Sequence, residues 1–558
     1  MNAQDALKLA RRYIDLPLEK RRLFLQALQR EGIDFAQLPI AAAQLPVERQ
    51  LLSYAQKRMW VLWRLDPQGA AYNLPSAVRL CGTLDRGALE QAFADLVERH
   101  ATLRTLFVDA GEGQVGLAEA HEPLTIGYTD LGDLAPELRE ARVQALAHEQ
   151  VFAPFDLARG PLLRVSLLRL ADQEHVLLLT LHHIVSDGWS MNVLIDEFSR
   201  CYAARAEGSA PQLPSLPIQY ADYALWQRSW LEAGEQARQV AWWKEYLGQA
   251  CPPLELPLDH ARPQVPSYRG QRHELALDQP LAERLKQVAQ THQLTPFMVL
   301  LAAFAVLLQR YSGQGDVRIG TPIANRNRSE VEGLIGCFVN TQVLRVQVDP
   351  GQTVAELLAA TKASALGAQA HQELPFEQLV EALDLPRGDG HNPLFQVMYN
   401  HQPQVADVDA MRVGSALTVQ AIEPTRRTTQ FDLTLDTYEK GGRLHAALTY
   451  ATDLFEAGSI ARMGRHWVNL LRAMLEDAGQ SVGNLPMLEV HELRQGREWN
   501  DTFAAYDLAC TVHQRFEQQA ATQPQAPALT FAGRQLNYAE LNARANQLAH
   551  LLIARGVG

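Results

Sequence analysis

The 558-residue sequence predicts an α/β (α+β) chain, and two observations carry that prediction. First, His175-Val176-Leu177-Leu178-Leu179-Thr180 is an apolar run of strand length, as expected for a strand covered on both faces. It leads through a loop into Met191, Leu194, Ile195, Phe198 and Tyr202, whose spacing by threes and fours is one face of a helix. Second, strand and helix signals alternate again in the second half of the chain, around Thr295–Leu308, Val317–Ile319 and Val343–Val348. The length suggests roughly two to four domains. With 47% hydrophobic and 20% charged residues, the composition is that of an ordinary globular protein.

Residues 1 to about 35 read as two short amphipathic helices. Pro17 opens the second, Leu23, Phe24, Ala27 and Leu28 form its apolar face, and Gly32 closes it. The pair is too small to bury a core alone, so it packs on the main body or docks a partner. Residues 36–47, with Pro39 and Pro46 among small residues, read as a linker, which makes 1–47 an N-terminal helical segment and linker.

The main body starts near residue 48. Ser76–Leu80 reads as a strand. Asp85 caps a helix with buried face Leu89, Phe93, Leu96 and Val97, ending near Arg99-His100. Leu162–Leu170 and Val176–Leu181 are the strands leading to the central loop, after which Ser190 is the expected N-cap and Gly208 the stop of a helix. From Tyr220 to Tyr246, Tyr223, Trp226, Trp230, Trp242, Trp243 and Tyr246 recur near helical spacing, more simply a packing seam than a cofactor box. The proline-rich stretch 252–268 reads as a crossing between two halves. Thr295-Pro296 opens a very apolar helix, closed by Ser312-Gly313. Strands are expected at Val317–Ile319, Val343–Val348 and Leu394–Tyr399, and a hairpin turns at Lys440-Gly441-Gly442 between Phe431–Leu435 and Leu444–Tyr450. No strong internal repeat is visible. Residues 486–510 read as a second linker around Trp499-Asn500-Asp501-Thr502.

Composition excludes several functions. A net charge of −12 argues against nucleic acid as a main partner. No run of about 18 uninterrupted apolar residues is present, so no membrane span is expected. The five cysteines, Cys81, Cys201, Cys251, Cys337 and Cys510, are far apart and mostly inside apolar runs, as expected of reduced thiols in a cytoplasmic protein. The N-terminus has no signal-peptide pattern. No Cys or carboxylate cluster near the histidines has zinc-ligand spacing, so no metal site is expected.

The chemistry centres on Leu181-His182-His183-Ile184-Val185-Ser186-Asp187-Gly188-Trp189-Ser190. Imidazole, with an unperturbed pKa of roughly 6.5, suits proton handling near neutrality. Two adjacent histidines on extended backbone point to opposite faces, so only one faces a given cavity and the other packs in the fold. Asp187 can orient a ring, cap the helix or pair with an arginine. A turn that merely ends a strand is the plainer alternative.

His-His-x-x-x-Asp-Gly resembles the core motif of nonribosomal peptide synthetase condensation domains and related CoA-dependent acyltransferases. Companion segments stand in that family's order: Ser53–Trp60, Arg99–Thr105, Tyr220–Gln227, Ile319–Arg326, Gly336–Thr341 and Asn392–Met398. The resemblance spans about residues 48–485. It implies two chloramphenicol acetyltransferase-like lobes, 48–220 and 221–485, forming a V-shaped pseudodimer with a central tunnel. It implies amide bond formation between a donor acyl or peptidyl thioester and an acceptor aminoacyl thioester, both on phosphopantetheine arms of an upstream and a downstream carrier protein. No cofactor is expected on this chain itself. His183 is then base or positioning group, and His182 supports the loop. Asp187 pairs with Arg326, Gly188 lines the tunnel, and Arg99 holds a cavity wall by an ion pair. Trp189 packs, and Asn340 is a cavity-lining candidate. Residues 511–558, with Val512–Glu517 and Leu536–Leu541, resemble the start of an adenylation domain, so a larger synthetase with its own adenylation domain is expected. Within the superfamily, an amino-acyl epimerase and a starter domain using a fatty-acyl donor are alternatives. A noncatalytic docking scaffold is a third, from another class.

Overall fold

The computed structural model describes residues 2–43, 45–111, 114–120, 122–248, 252–385, 392–403, 412–413, 417–422, 427–506 and 509–557. The chain divides into two units, Met1–Met487 and Leu488–Gly558.

The first unit opens with helices α1 (Ala3–Asp15) and α2 (Leu18–Arg30). Asn2 caps α1 by accepting the Asp5 N–H at 2.8 Å. In α2 the packed face is Phe24, Leu25 and Leu28, whereas Leu23 is 65% exposed, so the apolar face is rotated from the expected one. The stretch expected to be a linker is held down, because Leu38, Ile40 and Ala41 are buried in the same cluster.

The first lobe follows: α3 (Tyr54–Leu65), β1 (Asn73–Gly82), α4 (Arg86–Arg99), β2 (Thr105–Gly111), β3 (Gln114–Glu119), β4 (Ile126–Asp130), α5 (Pro136–Phe152), β5 (Leu163–Ala171), β6 (Glu174–His182) and α6 (Gly188–Ala206). The aromatic stretch becomes α7 (Tyr220–Trp230) and α8 (Gln236–Leu247), joined by a π-helical turn that bends at Gly234. The second lobe holds β7 (Arg269–Leu275), α9 (Gln279–Thr291), α10 (Pro296–Ser312), β8 (Asp316–Ile323), α11 (Ser329–Glu332), β9 (Asn340–Gln347), α12 (Val354–Gln369) and α13 (Phe376–Leu383). It continues through β10 (Val397–Gln402), β11 (Arg412–Val413), β12 (Leu417–Ala421), β13 (Arg427–Thr428), β14 (Leu433–Lys440), β15 (Arg443–Ala451) and α14 (Ala457–Glu476).

Among the described residues, a six-stranded sheet runs β11-β12-β1-β6-β5-β4 and a seven-stranded sheet runs β13-β7-β15-β14-β10-β8-β9. β6 lies inside the first sheet, antiparallel to β1 and β5. Its leucines 177, 179 and 181 pack with Leu89, Phe93, Leu96 and Leu194 of α4 and α6, while Val176 and Leu178 pack with Val143 of α5. Cover on both faces is what the unbroken apolar run requires. Each such leucine contributes roughly 1.5–3 kcal/mol on burial. β11 and β12 break the sequence-based lobe boundary: Val78 of β1 pairs with Ala421, so a segment of the later half completes the first sheet. In the second lobe Met298 through Leu308 of α10 are all buried. Gly441 and Gly442, at φ 58° and 75°, make the tight turn that joins β14 to β15.

The second unit contains α15 (Val490–Asn500), α16 (Val512–Thr522), β16 (Pro527–Phe531), β17 (Arg534–Asn537) and α17 (Tyr538–Ala554). The stretch expected as a linker is thus partly helical. Among the described residues no single helix is long and apolar enough to cross a membrane.

Candidate active site

The turn between β6 and α6 is built on Asp187, not on Ser190. Asp187 is the N-cap of α6, and its Oδ1 accepts the Ser190 N–H at 2.8 Å. Ser190 falls inside the first turn, three residues on, where its hydroxyl has other partners. Ser190 Oγ accepts from Arg326 Nη2 at 2.7 Å and from the Gly336 N–H at 3.1 Å, and lies 2.7 Å from Asp187 Oδ1. Asp187 Oδ2 accepts the Phe338 N–H at 3.0 Å, and Arg326 Nη2 reaches Oδ1 at 3.2 Å. Both charged side chains are almost fully buried, so the pair ties the β6–α6 turn to the loop before β9. Arg326 Nη1 donates to the carbonyls of Val331 at 2.5 Å and Leu334 at 2.8 Å, and its guanidinium stacks on Phe338 at 4.0 Å. Burial pulls the Arg326 pKa down and Asp187 opposes that pull. Gly336 is required by close approach, since a Cβ there stands 2.0 Å from the Tyr220 ring.

The two histidines have different fates. His182 is buried, edge-on to Phe155 at 5.9 Å, and its Nδ1 accepts the Ile184 N–H at 3.1 Å. That bond fixes its proton on Nε2. Burial, then neighbouring His183 and Arg164, push its pKa down to about 3, so it stays neutral. His183 starts the turn, with its backbone N–H donated to the Tyr72 carbonyl at 2.9 Å. As a residue it is half-buried, where His182 is buried. Burial lowers its pKa below the ordinary imidazole value, Asp187 raises it, and Arg58 adds to the lowering. Cys337 Sγ sits 3.7 Å from His183 Nδ1, and burial pushes that thiol up, away from thiolate.

A cavity of about 360 Å³ lies between the lobes, lined in part by Arg58, Tyr72, Tyr268, Phe395, Gln396 and Gln430. Two of its wall residues, Tyr72 and Arg58, act directly on His183 through the backbone bond and the electrostatic effect described above. Arg58 of α3 pairs with Glu377 of α13 at 3.2 Å, a second link between lobes. Nothing lies within 4 Å of the place a Cβ would take at Gly188, which is exposed at the start of α6.

Other expected site residues stand further out. Arg99 Nε contacts both Glu197 oxygens, at 3.0 and 3.1 Å, and Glu197 also meets His100 Nε2 at 2.7 Å. Arg99 therefore fastens α4 to α6. Trp189 is 44% exposed and donates to the Glu332 carbonyl at 2.9 Å. Asn340 corrects the expectation of a cavity-lining group. Its amide donates to the carbonyls of Gln372 and Leu374 at 3.0 and 2.8 Å, and Oδ1 accepts from Thr341 and Phe376 at 2.9 and 3.0 Å. That hydrogen-bonding capacity clamps backbone, leaving none for a ligand. Arg58 and Tyr72 were given no role from sequence, Ser190 only that of an N-cap and Cys337 only that of a reduced thiol. Arg58 and Cys337 lie inside the companion segments, which was the available signal.

A family profile described as Condensation domain matches residues 48–495, and one described as AMP-binding enzyme matches residues 516–558. The chain belongs to the condensation domain family. It is 43% identical to a linear gramicidin synthase and 38% identical to tyrocidine synthase 2, both of Brevibacillus parabrevis, over 92% and 96% of its length. It spans 10% and 14% of those relatives. Among solved structures, the X-domain from teicoplanin biosynthesis is 29% identical with a TM-score of 0.73, covering 81% of this chain and all of that one. A four-domain nonribosomal peptide synthetase bound to AMP and glycine, at 23% identity and TM-score 0.71, shares the fold over 92% of this chain and 39% of its own. The condensation domain thus has the mixed α/β architecture of the peptide-bond-forming domains of nonribosomal peptide synthetases. Among the described residues no group of three or more His, Cys, Asp and Glu side chains is placed to hold a metal ion.

Proposed function

We propose that His183 assists the attack of an acceptor α-amine on a donor thioester, both delivered on phosphopantetheine arms of carrier domains that enter from opposite mouths of a passage between the lobes. The amine nitrogen bonds to the carbonyl carbon, the C–S bond breaks, and the pantetheine sulfur leaves as thiolate. The proton lost from nitrogen passes to His183 and from it to the thiolate. An α-amine has a pKa of roughly 8, so a usable fraction is neutral before it binds. His183 accordingly takes the proton late and steers the amine. Holding both reactants in place supplies most of the rate, since effective molarities reach roughly 10⁵–10⁸ M, while a positioned base adds roughly 10²–10⁴.

The single observation that carries this reading is the asymmetry of the pair: His182 is buried with its Nδ1 locked on the Ile184 N–H, whereas His183 is half-buried and bonded through its backbone to Tyr72, a wall residue of the inter-lobe cavity. The neutral imidazole favoured by burial is the form that accepts a proton. The open space at Gly188 supports its place along the path of an arm. Asp187 and Arg326 position the turn and take no part in proton transfer. The carriers stand upstream and downstream, an adenylation domain continues from the second unit, and a cytoplasmic setting suits the free thiols Cys81, Cys201, Cys337 and Cys510. Cys251 lies outside the described residues.

The test is dipeptide release from two loaded carriers, detected by mass. His183→Ala should stop it, and near-normal turnover would remove His183 from the mechanism. A donor panel of L-, D- and fatty-acyl thioesters separates ordinary from starter condensation, and exchange of the substrate α-hydrogen without amide formation would mark an epimerase. The solved complex of the X-domain with OxyB favours a second reading, a platform that docks another protein. In that case wild type and His183→Ala would be equally inactive.

A further inference from the structure

The condensation profile begins at residue 48, yet residues 2–43 are fastened to α7 and to the loop that carries Arg326. Tyr13 is fully buried and donates its hydroxyl to the Ser229 carbonyl at 2.7 Å, and Arg21 donates to Ser229 Oγ at 2.8 Å. The Ala43 N–H reaches Asp222 Oδ1 at 2.8 Å. Two further bonds fall on the loop that carries Arg326: Ile40 N–H to Glu330 Oε1 at 3.2 Å, and Arg328 Nη1 to the Leu38 carbonyl. Leu38, Ile40 and Ala41 share one apolar cluster with Val331, Leu334 and Phe338. Val331 and Leu334 offer the carbonyls that Arg326 holds, and Phe338 offers the N–H that Asp187 holds. A ladder of rings runs the same way, with centroid spacings of 4.4 Å (Tyr13–Phe35), 6.4 Å (Phe35–Trp230), 5.3 Å (Trp230–Trp226), 6.1 Å (Trp226–Tyr223) and 4.6 Å (Tyr223–Phe338).

We infer that residues 2–43 are a brace for the catalytic turn: they press the loop from Asn325 to Phe338 into place, and through Arg326 and Phe338 they fix Asp187 and the start of α6. Tyr13 and Leu38 are its positioning residues, acting through Arg326. The physical reason lies in the loop itself. Between β8 and β9 it is mostly irregular, with only the short α11, and its inner side is occupied by the Arg326–Asp187 pair. Its outer apolar residues need cover, and the N-terminal segment provides it. A packed chain of this kind transmits position only if its members are energetically coupled, and coupling is measurable.

The test is a double-mutant cycle in the full chain. Tyr13→Ala with Leu38→Ala is compared in wild-type and Arg326→Lys backgrounds, with single-turnover amide formation and hydrogen exchange at the Phe338 and Ser190 amides as readouts. The brace predicts a loss in kcat of about tenfold, KM for both carriers changed less than about twofold, faster exchange at both amides, and little further loss in the Arg326→Lys background. Unchanged exchange and kcat, or losses that multiply across the two backgrounds, would overturn it. If the paired variant does not fold, Glu330→Ala removes one attachment and carries the same test at about two- to threefold amplitude. The rate arm rests on the catalytic reading of His183, whereas the exchange arm needs no turnover. A wild type without condensation activity but with Phe338 exchange quickened by the variants would refute the catalytic reading and keep the brace.

Discussion

The two lobes present the same corner twice, and only one carries a histidine pair and a buried ion pair. In each, an antiparallel hairpin ends in a turn that feeds a long helix: β5–β6 into α6, and β14–β15 into α14. The first corner carries His182-His183-Ile184-Val185-Ser186-Asp187-Gly188. The second carries Tyr450-Ala451-Thr452-Asp453-Leu454-Phe455. Asp187 is buried, caps its helix and pairs with buried Arg326. Asp453 accepts from the Ser267 N–H at 2.9 Å and reaches Arg269 at 3.4 Å, an arginine whose side chain is 74% exposed. One carboxylate is inside a desolvated network that crosses between segments. The other, largely buried on the wall of the inter-lobe cavity, pairs with an exposed arginine and reaches no other segment's buried charge. The lesson is that hairpin-and-helix architecture does not make a site. The proposed site adds an imidazole at the strand end and a buried anchor that cannot relax into water.

That contrast can be broken from the first corner. His183→Ala should lower the single-turnover rate by roughly 10²–10⁴, the share a positioned base contributes. Adding Ala451→His to that variant should restore nothing, and recovery measured in the same assay would show the corners to be interchangeable.

Next come the two carboxylates. Asp187→Ala strands Arg326 in the interior and should cost about 3–5 kcal/mol in chemical denaturation, along with rate. Asp453→Ala should cost less, about 1 kcal/mol, because the arginine it leaves behind is exposed and stays solvated. Equal losses would erase the distinction between a carboxylate that neutralises a buried arginine and one that meets an exposed arginine.

A smaller effect concerns acid. The unfolded chain protonates His182 near the ordinary 6.5, while the folded chain resists until about 3. Within that window the unfolded state holds the extra proton, so this residue makes stability fall as pH drops from 6.5 toward 3. His182→Gln should flatten that part of the stability profile, and an unchanged slope would mean the imidazole is not held neutral.

Much of this was readable before any coordinates. The run to Leu181 and the helix from Met191 announce themselves because cover on both faces needs unbroken apolarity, and an amphipathic helix needs a stripe. Asp85 and Thr295 were recognisable as caps because each immediately precedes its helix. Asp187 was one of two cap candidates, and Ser190, three residues on, has equal chemical aptitude; the contest was settled by Arg326 and Gly336, distant in sequence. Leu38 and Ile40 were hidden by neighbouring prolines that signal a linker, although their cluster includes Val331, Leu334 and Phe338, far along the chain. The pairing of β12 with β1 joins Val78 to Ala421 and leaves no local trace. The same holds for Cys337, which meets His183 across 154 residues. Local patterning shows in the sequence; contacts made by the return of the chain do not.

The most direct measurement is the pH dependence of single-turnover amide formation, divided at each pH by the free-amine fraction of the acceptor and compared with His183→Ala. The corrected wild-type rate should fall on acidification with a midpoint below the ordinary imidazole value, because burial lowers the His183 pKa, and the His183→Ala rate should be low and flat. A midpoint at or above the ordinary value, or the same acid limb in both proteins, would contradict the claim that a neutral His183 receives the proton.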